Sequence, residues 1–352
     1  MKIIRSTKCS LKFTTARKQR QLDSVLKEYA RVTNFFINYF WSNPTTKAQL
    51  LKSIVNLPTT WLTARLCKVA AREALDMISA SKKRWGAKAV LPLHRGQRMC
   101  VSSTIAELQQ SNTTNFDAWL HLNSLGRKIV LDLPIKFHRH FSILSAKSKR
   151  LNAYIITRNS VQFVFERETG PKKNTGNDIG IDTGINKLAS TSTQHQYGEI
   201  RPVIESINRK VKGSKAQKKE RRHLRHLIDE TVKTIFQQED PRLIVVENLK
   251  GINQSTKARL PKATRKLVSN WNQRYWLSRL QQKCEENRVY FRTVAAYNTS
   301  ITCSKCGNVD RKQRVAEVFI CSNCNHQGNA DLNAATNILN RCLSGVYCPT
   351  FK

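Results

Sequence analysis

The chain has 352 residues, 40% of them hydrophobic, with 61 Lys and Arg against 24 Asp and Glu, a formal net charge of +37. That length suits two or three domains, and that composition excludes a disordered polymer. No run approaches the ~20 apolar residues of a spanning helix, and the opening MKIIRSTKCSLKF has neither the apolar core nor the cleavage site of a signal peptide.

In chain order, residues 2–13 read as a strand. DSVLKEYARVTNFFINYFW follows with apolar residues at helical spacing and Asp23 or Ser24 as its cap. Residues 59–85 form a second helix capped by Thr59 or Thr60, and the polar stretch 102–122 reads as partly helical. From Gly126 the period shifts to two. KIVLDLPIKF and YIITRNSVQFVFERE read as strands, the latter folding at Arg158–Asn159–Ser160. A helical block is thus inserted into a small β-domain. ETGPKKNTGN, residues 168–177, is a linker by composition. Beyond it come DIGIDTGINKLAST, the basic run RKVKGSKAQKKERRHLRH, the apolar strand PRLIVVENL, one helix over 264–287 and the strand RVYFRTV. This alternation is an α/β sheet pattern.

The excess positive charge calls for a polyanion, and nucleic acid is the expected partner. A generic basic protein of ribosomal type is the blander reading, and a membrane surface the minor one. Of ten cysteines, four are clustered as Cys303/Cys306 and Cys321/Cys324, with fourteen residues between the pairs. That spacing fits a zinc ribbon in a reducing compartment, and four thiolates make the site closed and structural. Gly307 and Asn325 suit the φ > 0 that follows each knuckle. His326 reads as an ordinary basic residue outside the ligand set.

Acids are scarce, so three stand out. Asp182 lies in IGIDTGI, Glu247 ends LIVVE, and Asp331 opens the helix DLNAATNIL, which also carries Asn333 and Asn337. Singly, these are a turn acid, a solvated strand end and a helix cap. Together, two on strands of one sheet and one on a helix packed closely through Ala334 and Ala335, they would repel one another without a cation. Mg²⁺ takes such oxygen ligands, and two ions about 3.5–4 Å apart cleave phosphodiesters.

These residues resemble the transposon-encoded TnpB (OrfB) family, related to the compact type V CRISPR effector nucleases. DTGINKLAST matches its first RuvC-like motif, IVVENLKG the second, and TSITCSKCG…RVAEVFICSNC…NADLNAATNIL the zinc ribbon and third motif. The likeness covers 178–340 and is weaker over 1–170.

The resemblance implies an α/β RNase H-like (RuvC-like) nuclease domain with an inserted zinc ribbon, preceded by a small β-barrel-like domain carrying a helical insertion. It implies a wedge-like β-domain at 1–14 and 123–170, a recognition insertion at 15–122, nuclease fold at 171–300, the ribbon at 301–327, the last motif at 328–341 and a tail at 342–352. Asp182, Glu247 and Asp331 would hold two catalytic Mg²⁺, and Cys303, Cys306, Cys321 and Cys324 one structural Zn²⁺. Arg314, between the cysteine pairs, would approach the nuclease site. The implied partners are a guide RNA from the transposon end and target DNA beside a short adjacent motif, in a prokaryotic, nucleoid-associated cytoplasmic setting without membrane. Asn248 stands where an acid is often seen and Asn325 where glycine is usual. A repressor that binds without cutting, and a guide-free RNase H- or resolvase-like nuclease, are the rival readings.

Overall fold

The computed structural model describes residues 2–112, 115–249 and 261–345, in two compact units divided along the chain between Glu168 and Thr169. The tail beyond residue 345 and LKG's Lys250 and Gly251 lie outside the described residues.

In the first unit β1 (Lys2–Ser10) pairs antiparallel with β7 (Ser160–Glu168), β7 with β6 (Lys149–Thr157), and β6 with β2 (Arg98–Ser102). A second, three-stranded sheet contains β3 (Ala106–Gln110), β4 (Ala118–Asn123) and β5 (Val130–Ile135). Helices α1 (Ala16–Ser42), α2 (Lys52–Val55), α3 (Ala64–Trp85) and α4 (Arg139–Lys147) complete the unit. One core joins the sheets to α1 and α3 through Tyr29, Phe36, Leu66, Leu120 and Phe163.

Three expectations are corrected here. Residues 102–122 contain strands and no helix, because Ala118, Leu120 and Leu122 point inward while Trp119 and His121 do not. The first helix starts seven residues before Asp23: Thr15 caps it by accepting from the Lys18 amide, and Asp23 pairs instead with Arg158. The second begins after Thr63, so Thr59 and Thr60 precede it.

The second unit is built on a five-stranded sheet in the order β10-β9-β8-β11-β12. β8 (Asn177–Asp182), β9 (Lys187–Thr191) and β10 (Gln196–Glu199) form an antiparallel meander, and β11 (Pro241–Asn248) and β12 (Tyr290–Ala295) run parallel to β8. Alternation assigns the faces. Ile179, Ile181, Ile244 and Val246 share a core with α5 (Arg201–Arg209), α6 (Lys215–Gln238) and α8 (Gln273–Glu286). Val245 and Val294 pack instead on Ile338 and Cys342 of α9 (Ala330–Leu343). The basic run spans the end of α5, the connection at residues 210–214 and the N-terminal half of α6, where most of its Lys and Arg side chains are exposed.

The helix expected over 264–287 breaks at Trp271 and Asn272, giving α7 (Lys262–Asn270) and α8. Trp271 is extended there, with ψ 124°, which lets Trp276 enter the core with no exposed area. At the opposite end of the sheet from Asp182, buried Glu239 accepts from Thr191, Thr193, His195 and Tyr197 and fixes the β9–β10 hairpin. Burial alone would raise its pKa; the four donors hold it below the usual carboxylate value.

Candidate active site

Asp182 is the last residue of β8, and Glu247 lies one residue before the end of β11. The parallel register pairs Ile181 with Val246, so both acids reach the same edge of the sheet on adjacent strands. By alternation they share the face that α9 covers, opposite to Ile181 and Val246. That helix comes very close. A Cβ added to Gly180 would stand 2.2 Å from the Ala335 carbonyl oxygen and 2.7 Å from the Leu339 amide. Gly180 therefore sets the depth at which α9 lies, and with it the position of Asp331.

Asp331 is not the cap of its helix. Asn329 caps it, accepting from the Asp331 and Leu332 amides at 2.9 and 3.2 Å. The Asp331 carboxylate is left in the first turn, where the helix dipole favours its charge. It takes a hydrogen-bonded ion pair from Arg314 Nη2 at 2.7 Å. Arg314 belongs to β13 (Arg314–Val315) of the cysteine ribbon, so the ribbon puts a guanidinium against one of the three acids.

The electrostatics tie the three together. Asp182 is pushed up to about 7, chiefly by burial and then by the charges of Glu247 and Asp331, with Arg314 opposing. Glu247 is also raised by burial, while Thr299, Arg341 and Arg314 pull the other way. A carboxyl half-protonated near neutrality beside two other acids is a site that lacks positive charge, and oxygen donors of this kind fit a hard divalent cation. The three carboxylates are electrostatic neighbours without being a closed cage. Among the described residues the cysteine quartet alone brings three or more ligand atoms within 4.8 Å of one another.

Several supporting residues had no role assigned from sequence. The Thr299 hydroxyl donates to Glu247. Asn337 donates to the carbonyls of Thr299 and Thr302 at 2.9 and 2.6 Å. Asn333 donates to the Thr302 carbonyl and accepts from the Ser304 amide, inside the first knuckle. Arg341 Nη1 donates to the Ala295 carbonyl at the end of β12. The two asparagines are visible as polar residues on an alanine-rich helix, but their partners lie about thirty residues upstream and only the fold reveals them.

In the ribbon, β13 pairs with β14 (Val318–Ile320), and β14 with β15 (Gln327–Asn329). Cys303 Sγ lies 3.7 Å from Cys324 Sγ, and Cys306 Sγ lies 3.5 Å from Cys321 Sγ. A tetrahedron with Zn–S bonds of about 2.3 Å has edges of about 3.8 Å, so the four sulfurs fit that ion. The Asn308 amide leads in lowering the Cys306 thiol to about 6, toward the thiolate a metal requires. Gly307 and Asn325 follow the knuckles at φ +76° and +55°. His326 lies against Phe319, outside the thiol set.

Residues 275–338 match the Cas12f1-like TNB domain family. The chain is 40% identical over 70 residues to a CRISPR-associated endodeoxyribonuclease Cas12f1 from an uncultured archaeon, covering 18% of this chain and 13% of the relative. It is 41% identical over 61 residues to a CRISPR-associated DNA-binding protein Cas12m of Thermanaerosceptrum fracticalcis, covering 17% and 10%. The chain thus spans a small fraction of the curated relatives it matches. Among solved structures, a Cas12f1–sgRNA–target DNA complex aligns with TM-score 0.57 and 16% identity over 91% of this chain and 82% of that one. The mini-RNA-guided endonuclease CRISPR-Cas_phi3 aligns with TM-score 0.61 and 8% identity over 99% and 94%. The fold is therefore that of compact Cas12 effectors.

Proposed function

We propose that this chain, a TnpB-like relative of the compact type V effectors, is an RNA-guided, magnesium-dependent DNA endonuclease. The observation that supports the reading is that Asp182 and Glu247 end adjacent parallel strands, with Asp182 raised to about 7 by burial and then by the charges of Glu247 and Asp331. The strand order, with one antiparallel strand second from the edge, suits an RNase H-like (RuvC-like) nuclease domain.

In this reading Asp182, Glu247 and Asp331 hold the catalytic metal, and Cys303, Cys306, Cys321 and Cys324 hold zinc. Bound there, magnesium supplies a more acidic water and a counter-charge for the leaving oxygen. The chain's own residues prepare the site. Thr299 fixes the Glu247 carboxylate by its hydrogen bond. Asn329 sets the start of the helix and so aims Asp331. Arg314 balances Asp331 and is within reach of a phosphate drawn to the same edge. The large positive charge holds polyanion backbone, leaving sequence to base pairing.

The similar structures' names supply the guide: the Cas12f1 structure contains sgRNA and target DNA, and we extend both partners to this chain. Residues 2–168, read as the wedge-like domain with its helical insertion, would grip guide and heteroduplex. Transposon origin and a target-adjacent motif belong to the same reading. The Cas12m relative, named a DNA-binding protein, favours a second reading, binding without cutting. Retention of all three acids weighs against it.

The test is cleavage of target plasmid by guide-loaded protein, with and without EDTA. Wild type is expected to cut only with magnesium. Asp182→Ala is expected to lose cutting while keeping RNA and DNA binding. An Asp182→Ala protein that cuts like wild type removes this site assignment, and a wild type that binds without cutting selects the second reading.

A further inference from the structure

The acidic edge carries one feature that metal binding does not use. β12 is parallel to β11, with Val294 opposite Glu247 and Ala295 opposite Asn248. The chain therefore leaves the sheet beside Glu247, and Tyr297 is the second residue past the end of β12. The loop that carries it is tightly held. The Ala295 carbonyl accepts from Arg341, the Asn298 carbonyl from Thr302 at 2.7 Å, and the Thr299 carbonyl from Asn337, while Thr299 itself donates to Glu247. Asn298 is held at φ +57°. Yet Tyr297 is 77% exposed, the only exposed Phe, Tyr or Trp among the described residues of this unit. Among the described residues, neither its ring nor its hydroxyl has a partner.

Single exposed apolar side chains are ordinary. An aromatic ring held out by a rigid loop is a different case when the same loop carries the hydrogen-bond donor to a candidate metal ligand. A flat ring there offers what the basic surface lacks, a face for a base. Lysine and arginine hold the backbone of a single strand, and aromatic rings hold its bases irrespective of sequence.

We infer that Tyr297 is a stacking platform for a base of the single strand that crosses the acidic edge, holding the adjoining phosphate in register with Asp182, Glu247 and Asp331. This inference rests on the nuclease reading for its substrate, but stacking itself needs no chemistry. The ring sets where the strand lies without choosing its sequence.

The test uses the full chain with its guide, in EDTA, irradiated with single-stranded oligothymidylate carrying iododeoxyuridine. The expected crosslink lies at Tyr297, in the tryptic peptide of residues 293–305. Tyr297→Phe keeps it and Tyr297→Ala loses it. With magnesium, the Ala variant raises KM for the single strand by roughly 5- to 150-fold, the range for one base–aromatic stack, and Phe restores it. Crosslinks that map only elsewhere, or an Ala variant with unchanged KM, overturn the inference. If the crosslink forms at Tyr297 but wild type never cuts, the nuclease reading falls and the stacking site stands.

Discussion

Asp182 bears the heaviest electrostatic load at the sheet edge, and its pH behaviour follows from sign alone. Its pKa in the folded, metal-free chain is raised to about 7, above the ~3.9 of an unfolded aspartate. Protonated Asp182 is therefore the form the fold prefers. Its contribution to stability is full below pH ~4 and is lost as pH rises toward 7. Thermal melts in EDTA are expected to show Asp182→Asn gaining on wild type between pH 5 and pH 8; parallel curves would contradict the raised pKa. Gly180 gives a second prediction at this scale. A methyl there meets backbone on α9, which no rotamer change can relieve, so Gly180→Ala is expected to lower stability by about 3 kcal/mol or more in urea melts. The three acids were legible because acids are scarce in a chain of +37 and these fall on apolar strands or at a helix start. Thr299 and Arg341 were not, since nothing local marks a threonine as the partner of a glutamate about fifty residues away.

The last helix works with the cysteine ribbon as one element. Asn333 and Asn337, both buried, fasten α9 to residues 299–304, and Arg314 returns from the ribbon to Asp331. Asn337→Ala leaves the Thr299 carbonyl without its side-chain donor, and is expected to cost about 1–3 kcal/mol and to slow cleavage more than it weakens nucleic-acid binding. Equal loss of both would point to general unfolding. On the proposed zinc assignment, wild type is expected to carry one zinc per chain and Cys306→Ser to lose it, abolishing cleavage by letting the start of α9 drift. The four-cysteine cluster was legible in the sequence, because thiolate ligation demands paired knuckles. The strands within 102–122 were less so, although AWLHLN carries the two-residue alternation. Polar Gln109, Gln110 and Ser111 beside it obscured the period. The break at Trp271 was hidden because helical spacing continues across it.

At the scale of the whole molecule, the proposed reading divides the work: charge holds the polyanion, and the acidic strand ends act on it. A surplus of +37 makes affinity for any nucleic acid fall steeply with salt, by a slope of about 0.9 per phosphate neutralised on B-DNA. No helix among the described residues is long and apolar enough to cross a membrane. The sheet order could not be read from the sequence, because pairing β8 with β11 joins residues about 65 positions apart. That pairing brings Asp182 and Glu247 to the ends of adjacent strands, where the proposed metal would sit. Manganese binding followed by electron paramagnetic resonance tests it most directly. Wild type is expected to take up manganese in a form that magnesium displaces, and Asp182→Ala is expected to lose that uptake. Equal uptake by the two proteins, or none by either, would contradict a shared metal site at Asp182, Glu247 and Asp331.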